Sequence, residues 1–284
     1  MKYKVYYSCC SHIGKRRSMN QDNFCCNGKY MRETAGAVKI LDITDGTGED
    51  GVGDNMAVST AKADKQFPIS GCVEKDGTHL FAVFDGMGGE ERGEKAAQIA
   101  AECAAKFTVR TEPIEDLKRF CREANEEICR YAMENDIPSM GTTAAILLFT
   151  EQEIYLCNIG DSKVFRISGG ETEQISIDDY VAVSFGKKPA LSQNLGIPAA
   201  EMLIEPHLAK GQYHDGDIYL LCSDGLTDMI EPHEIGRILR ETEFEKAAGK
   251  LLDAALENGG TDNITIILCR VERKKHGILS RLFG

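Results

Sequence analysis

The chain has 284 residues, 42% of them hydrophobic, which is enough for a sizeable core and argues against disorder. A formal net charge of −12 excludes a nucleic-acid surface, because phosphate backbones are met by an excess of Lys and Arg. Eleven cysteines, several inside apolar runs (Cys157, Cys222, Cys269) and none in a C-x-x-C pair, read as small buried hydrophobes in a reducing, cytoplasmic setting, not as a disulfide framework or a structural zinc site.

In chain order, the N-terminus "MKYKVYYSCCSH" lacks the apolar stretch of a signal peptide, and no apolar run approaches the ~20 residues of a membrane span. Residues 33 to 65, rich in Gly, Asp and Ala, read as a loop or irregular insertion. Within them "GTGEDG" (Gly46 to Gly51) fits a dinucleotide-binding spacing, but its acidic neighbours and the missing strand-to-helix context make it an acidic loop. "HLFAVF" reads as a buried strand, and helices are expected from Glu90 to about Phe107 and from Pro113 to about Asn135. The second carries a helical stripe at Ile114, Leu117, Phe120, Cys121, Ala124, Ile128 and Ala132. "TTAAILLF", "EIYLCNI", "KVFRI", "DIYLLCS" and "NITIILCRV" are short runs apolar almost throughout, as in strands covered on both faces. Two further helices, "EPHEIGRILRE" and "FEKAAGKLLDAALEN", lie between the last two, and a basic tail, "RKKHGILSRLFG", follows. The pattern predicts layered sheets enclosed by helices in a single domain.

The strand ends share one feature. "HLFAVF" stops at Asp85, "EIYLCNIG" at Asp161 and "DIYLLCS" at Asp224, while "NITIILC" starts just after Asp262. If the last strand runs antiparallel to the others, these four carboxylates collect at one edge. There they would repel one another unless divalent cations neutralised them. An oxygen-only donor set favours Mg²⁺ or Mn²⁺ over zinc, and a pair of such ions can activate water beside a phosphoryl group. Gly86, without a side chain, leaves its carbonyl free to turn toward a metal.

Six stretches in order, "RSMNQDN" from Arg17, "FAVFDGMGGEERGEKAA" from Phe81, "GTTAAILL" from Gly141, "NIGDSKVFRI" from Asn158, "LLCSDGLTDMI" from Leu220 and "GGTDNITIILC" from Gly259, resemble the motifs of the type 2C metal-dependent protein phosphatases, in their bacterial form. The resemblance covers about Ser11 to Val271 and implies an α+β fold, a four-layer α-β-β-α sandwich of two central antiparallel sheets flanked by helices. It makes residues 1–272 the catalytic domain and 273–284 a basic tail. It also implies a centre of two Mn²⁺ or Mg²⁺ ions, with Asp85 bridging both, the Gly86 carbonyl on one, and Asp224 and Asp262 on the other. Asp161 matches the position that takes a third, weaker ion in several members. Asp22 would orient metal-bound water, and Arg17 would grip the substrate phosphate with its planar fork.

The activity so implied is hydrolysis of phosphoserine and phosphothreonine on proteins by a metal-bridging hydroxide, without a phosphoenzyme. The partners are phosphoproteins made by a cognate Ser/Thr kinase, and the protein is expected to be a cytoplasmic monomer with no nucleic acid and no membrane span. Departures from the family pattern are Gln21 where many members have Glu, Met87 where eukaryotic members have His, and "ISIDDY", where Asp178 or Asp179 would complete the third-metal site. Two rivals remain: a catalytically weak relative that binds phosphoproteins as a regulator, and a hydrolase of small phosphoesters.

Overall fold

The structure of the chain, a computed structural model, describes residues 3–34, 37–42, 69–74, 77–87, 92–181 and 189–274. The first elements are β1 (Tyr3–His12), β2 (Asn23–Cys26), β3 (Lys29–Thr34), β4 (Ala37–Asp42), β5 (Ile69–Val73), β6 (His79–Phe84) and the short β7 (Gly86–Met87). Helices α1 (Gly93–Ala105) and α2 (Pro113–Glu134) follow, then β8 (Gly141–Thr142), β9 (Ala144–Phe149), β10 (Ile154–Ile159), β11 (Lys163–Ser168), β12 (Glu171–Gln174) and β13 (His207–Gly211). After these come β14 (Ile218–Cys222), the one-turn α3 (Asp224–Thr227), α4 (Pro232–Glu241), α5 (Phe244–Glu257) and β15 (Ile264–Arg273).

Six strands form one sheet in the order β12-β11-β14-β15-β1-β5, and seven form a second in the order β13-β10-β9-β6-β2-β3-β4. All pairings in both sheets are antiparallel. The side-chain alternation of β9 shows why its run is apolar throughout. Ala145, Leu147 and Phe149 enter the core between the sheets, whereas Ala144, Ile146 and Leu148 enter the core under α1 and α2. β15 divides likewise, with Ile267, Cys269 and Val271 between the sheets and Ile264, Ile266 and Leu268 against the layer of α4 and α5. Aromatic rings join the sheets, Tyr7 against Phe81 at 5.3 Å and Phe149 against Tyr219 at 5.7 Å. The result is four layers, helix, sheet, sheet, helix.

Helix α2 begins with Pro113 in its first turn, where a missing N–H costs nothing, and buries Leu117, Phe120, Cys121, Ala124 and Ile128 along the expected stripe. Two differences from the sequence reading concern the first hundred residues. The loop expected from residue 33 starts as a hairpin instead, with β3 paired to β4 from Lys29 and Asp42 to Thr34 and Ala37; residues 43–65 lie outside the described residues. The expected helix start at Glu90 also lies outside them, and α1 is seen from Gly93. β15 continues to Arg273, opposite Tyr3, and residues 275–284 of the tail lie outside the described residues.

Candidate active site

β6 and β10 are both antiparallel to β9, so they point the same way and deliver Asp85 and Asp161 to the same edge of their sheet. In the other sheet β14 runs antiparallel to β15, which brings Asp224, just past the end of β14, beside Asp262, just before the start of β15. Where the two edges meet, a cleft of about 350 Å³ is lined by Arg17, Gln21, Asp85, Gly86, Asp161, Asp224 and Asp262, with Met87, Asn263 and Pro189 to Leu191 completing the wall. Six of the seven residues singled out from the sequence therefore line one space. The seventh, Asp22, is 4% exposed and sits behind the lining.

Backbone contacts fix this edge. The Asp85 N–H donates to Thr143 Oγ1 at 3.0 Å, and the Asp85 carbonyl accepts from Thr143 N and from Thr142 Oγ1, both at 2.9 Å. Thr143 Oγ1 also lies 2.6 Å from Ser162 Oγ, beside Asp161. Asn263 clamps the loop after β1: its Nδ2 donates to the carbonyls of Ile13 and Met19, each at 2.9 Å, and its Oδ1 accepts from Gln21 N at 2.8 Å. Gly86 is required by packing, because a Cβ there would sit 2.3 Å from the Gly93 carbonyl oxygen and 2.4 Å from that of Gln21. Thr142, Thr143, Ser223 and Asn263 were not singled out from sequence, although each lies within a quoted motif.

The carboxylates are electrostatically strained. Burial, followed by the charges of Asp22, Asp224, Asp161 and Asp262, holds the Asp85 carboxyl well above the usual carboxylate range. Burial likewise pushes Asp22 up to about 7, against the opposing hydrogen bonds of Ser223 and Thr265. Ser223 Oγ donates to Asp22 Oδ2 at 2.7 Å, while Asp22 Oδ1 is buried with no hydrogen-bond partner. The Arg17 guanidinium, half exposed, lies 2.5 Å from Asp262 Oδ2.

Among the described residues, no three His, Cys, Asp or Glu side chains close on a common point as a finished metal cluster. The donor set still fits a hard divalent cation: every candidate is a carboxylate or carbonyl oxygen, the carboxylates repel one another, and the buried Asp22 Oδ1 behind them lacks a donor. Asp178 does not face this cleft. It is bound by Lys163 Nζ at 2.5 Å and by Gln174 Nε2 at 2.7 Å, a cation and an amide on the neighbouring hairpin.

A two-sheet sandwich with an acidic cleft at one edge defines a class, and sequence comparison identifies it. The model of the family described as Protein phosphatase 2C matches residues 64–264, and the chain belongs to that family. It is 32% identical over 216 residues to the serine/threonine protein phosphatase PstP of Mycobacterium tuberculosis, an alignment covering 71% of this chain and 42% of PstP. The chain thus spans less than half the length of that relative. The serine/threonine phosphatase Stp of Listeria monocytogenes is 30% identical over 224 residues, 70% of this chain and 86% of Stp. The crystal structure of the PstP catalytic domain in complex with two manganese ions superposes with a TM-score of 0.69 at 25% identity, covering 95% of this chain and 99% of that one.

Proposed function

We propose that this protein is a metal-dependent phosphatase of phosphoserine and phosphothreonine on proteins. The observation that carries the reading is the gathering of Asp85, Asp161, Asp224 and Asp262 from the ends of both sheets onto one cleft, with the Asp85 carboxyl held well above its usual range. Asp85, the Gly86 carbonyl, Asp224 and Asp262 would hold two Mn²⁺ or Mg²⁺ ions, and Asp161 a third. When bound, such ions supply Lewis-acid stabilisation of phosphoryl oxygens and activation of water. PstP, whose catalytic domain is described with two manganese ions, supports this choice of cofactor.

The chain's own residues have separable tasks. Arg17 stands at the mouth, half exposed, and its planar fork suits two phosphate oxygens. Arg17 now pairs with Asp262, and with that carboxylate held to a cation its guanidinium would be free for the phosphate. Asp22 presents one buried oxygen without a donor and has its pKa near neutrality, so it can orient a water or accept its proton. Met87 offers no proton to the leaving alkoxide, so that proton has to come from solvent in the cleft.

Within this proposal residues 1–272 form the catalytic domain, 273–284 a basic tail, and the protein acts as a cytoplasmic monomer on the products of a cognate Ser/Thr kinase. Among the described residues no helix is long and apolar enough to cross a membrane. The test compares phosphothreonine peptide, p-nitrophenyl phosphate and nucleotides as substrates, each with Mn²⁺, Mg²⁺ or EDTA. Metal-dependent release from the peptide is expected. No release under any condition, or release from nucleotides alone, would contradict the proposal.

A further inference from the structure

Asp179 is a buried carboxylate outside the acidic cleft, 6% exposed, and its contacts join three parts of the chain that the sequence keeps apart. Gly160 N donates to its Oδ2 at 2.8 Å, and its own N–H donates to the Gly160 carbonyl at 3.0 Å, a reciprocal pair. Gly160 immediately precedes Asp161 and has φ of +92°, a backbone shape that only glycine adopts readily. Asp179 Oδ1 takes the other two partners, Gln193 Nε2 at 2.9 Å and His207 Nε2, at the start of β13, at 2.8 Å. Its carbonyl accepts from Ser192 N at 2.9 Å.

These partners border the cleft. Pro189, Ala190 and Leu191 form one of its walls, directly before Ser192 and Gln193. The same wall is held to the residues after Asp179 by a bridge between Tyr180 and Leu191 and by Val181 N donating to the Ala190 carbonyl at 3.0 Å. Tyr180 in turn donates to Asp161 Oδ2 at 3.2 Å.

We infer that Asp179 is a positioning residue, fixing the Pro189–Leu191 wall relative to the turn bearing Asp161, and that this geometry sets how tightly the residues flanking a phosphorylated Ser or Thr are held. The inference rests on the phosphatase reading for its substrate, but its structural half stands apart from activity. Asp85, Asp224 and Asp262 reach the cleft on strand ends that Asp179 does not touch, and the turn of Asp161 keeps a second hold, the 2.6 Å contact of Ser162 Oγ with Thr143 Oγ1, so loss of Asp179 acts on substrate affinity more than on turnover.

The test uses the full chain with Asp179→Ala and Asp179→Asn, reading amide hydrogen exchange together with KM and kcat on a phosphothreonine peptide. In Asp179→Ala, exchange across residues 189–206 is expected to quicken at least tenfold while α1, α2 and β15 keep wild-type protection. The peptide KM is expected to rise fivefold or more with kcat within twofold, and Asp179→Asn, which keeps one acceptor, to fall between. Unchanged exchange and KM in Asp179→Ala overturns the inference, as does loosening spread equally over the helices and β15. If the wild-type protein proves inactive on the peptide, the phosphatase reading fails, and the exchange pattern alone decides the structural claim.

Discussion

Two sets of buried and half-buried aspartates in this molecule have opposite chemistry. Asp116, at the start of α2, is fully buried and accepts from Arg110 N at 2.7 Å, Thr111 N at 2.9 Å, Thr111 Oγ1 at 3.1 Å and the Arg119 guanidinium at 2.5 Å. Those donors outweigh its burial and hold its carboxyl at about 2. Asp217 is similar, with Arg166 at 2.8 Å and His214 N at 2.9 Å, and its pKa is lowered. At the cleft the balance reverses: Asp22 is raised to about 7, and Asp85 is raised by burial and by four neighbouring carboxylates. The first set stabilises the fold by itself. The second is stable as an ionised cluster only when positive charge arrives from outside the chain, which is what marks it as functional.

The comparison predicts opposite responses to substitution. The largest effect is expected for Asp85→Asn, which keeps the volume and removes the charge: Mn²⁺-dependent turnover of phosphothreonine peptide should fall about 10²–10³-fold, the scale of losing one main electrostatic stabiliser. The metal-free variant should melt no lower than wild type, since an amide at this site needs neither the proton nor the cation that the raised carboxyl needs. A lower melting temperature would place Asp85 with the fold-stabilising set. Next comes Asp116→Ala, which leaves Arg119 and two backbone N–H groups without their acceptor and should destabilise by about 2–4 kcal/mol in urea unfolding. Its kcat with Mn²⁺ should match wild type.

A smaller change is expected for Asp22→Asn, a gain of about 1 kcal/mol in metal-free stability at pH 7, because a poorly solvated charge is removed. The finest test is the pH dependence. Asp22 has a folded pKa raised above its ordinary 3.8, so the native state holds a proton that the unfolded chain has lost. Stability from this group is therefore fully present below about pH 4 and is lost as pH rises to about 7. Asp116 acts in a separate window: its contribution is present above 3.8 and is lost as pH falls toward 2. Urea melts between pH 4 and 7 should show the first slope in wild type and its flattening in Asp22→Asn or with Mn²⁺. An equal slope in wild type and Asp22→Asn would show that Asp22 is not its source.

Much of this was legible in the chain because the relevant signals are local. The apolar runs of β6, β9, β10, β14 and β15 and the stripe of α2 follow from burial on both faces or on one. Each cleft aspartate could be found as the residue where such a run stops or starts. Edge strands were not legible: β12, "ETEQ", and β13, "HLAKG", are polar and largely exposed, so no apolar alternation marks them. The one-turn α3 is too short to carry a period and owes its place to close packing, since a Cβ on Gly225 would meet the Asn263 carbonyl oxygen at 1.9 Å. The fate of Asp178 depended on Lys163, 15 positions earlier, and no spacing in the sequence indicated that pair. The clamp made by Asn263 across the loop of Arg17 is likewise a contact between the two ends of the chain.

A divalent cation entering the cleft has to displace the protons that its raised carboxyls retain. Calorimetric titration of the metal-free protein with Mn²⁺ at pH 6, in two buffers of different ionisation enthalpy, measures this directly. Saturable binding with net proton release is expected in wild type, with a clear loss of that release in Asp85→Asn. Binding of Mn²⁺ with no proton released, or no binding at all, would contradict it.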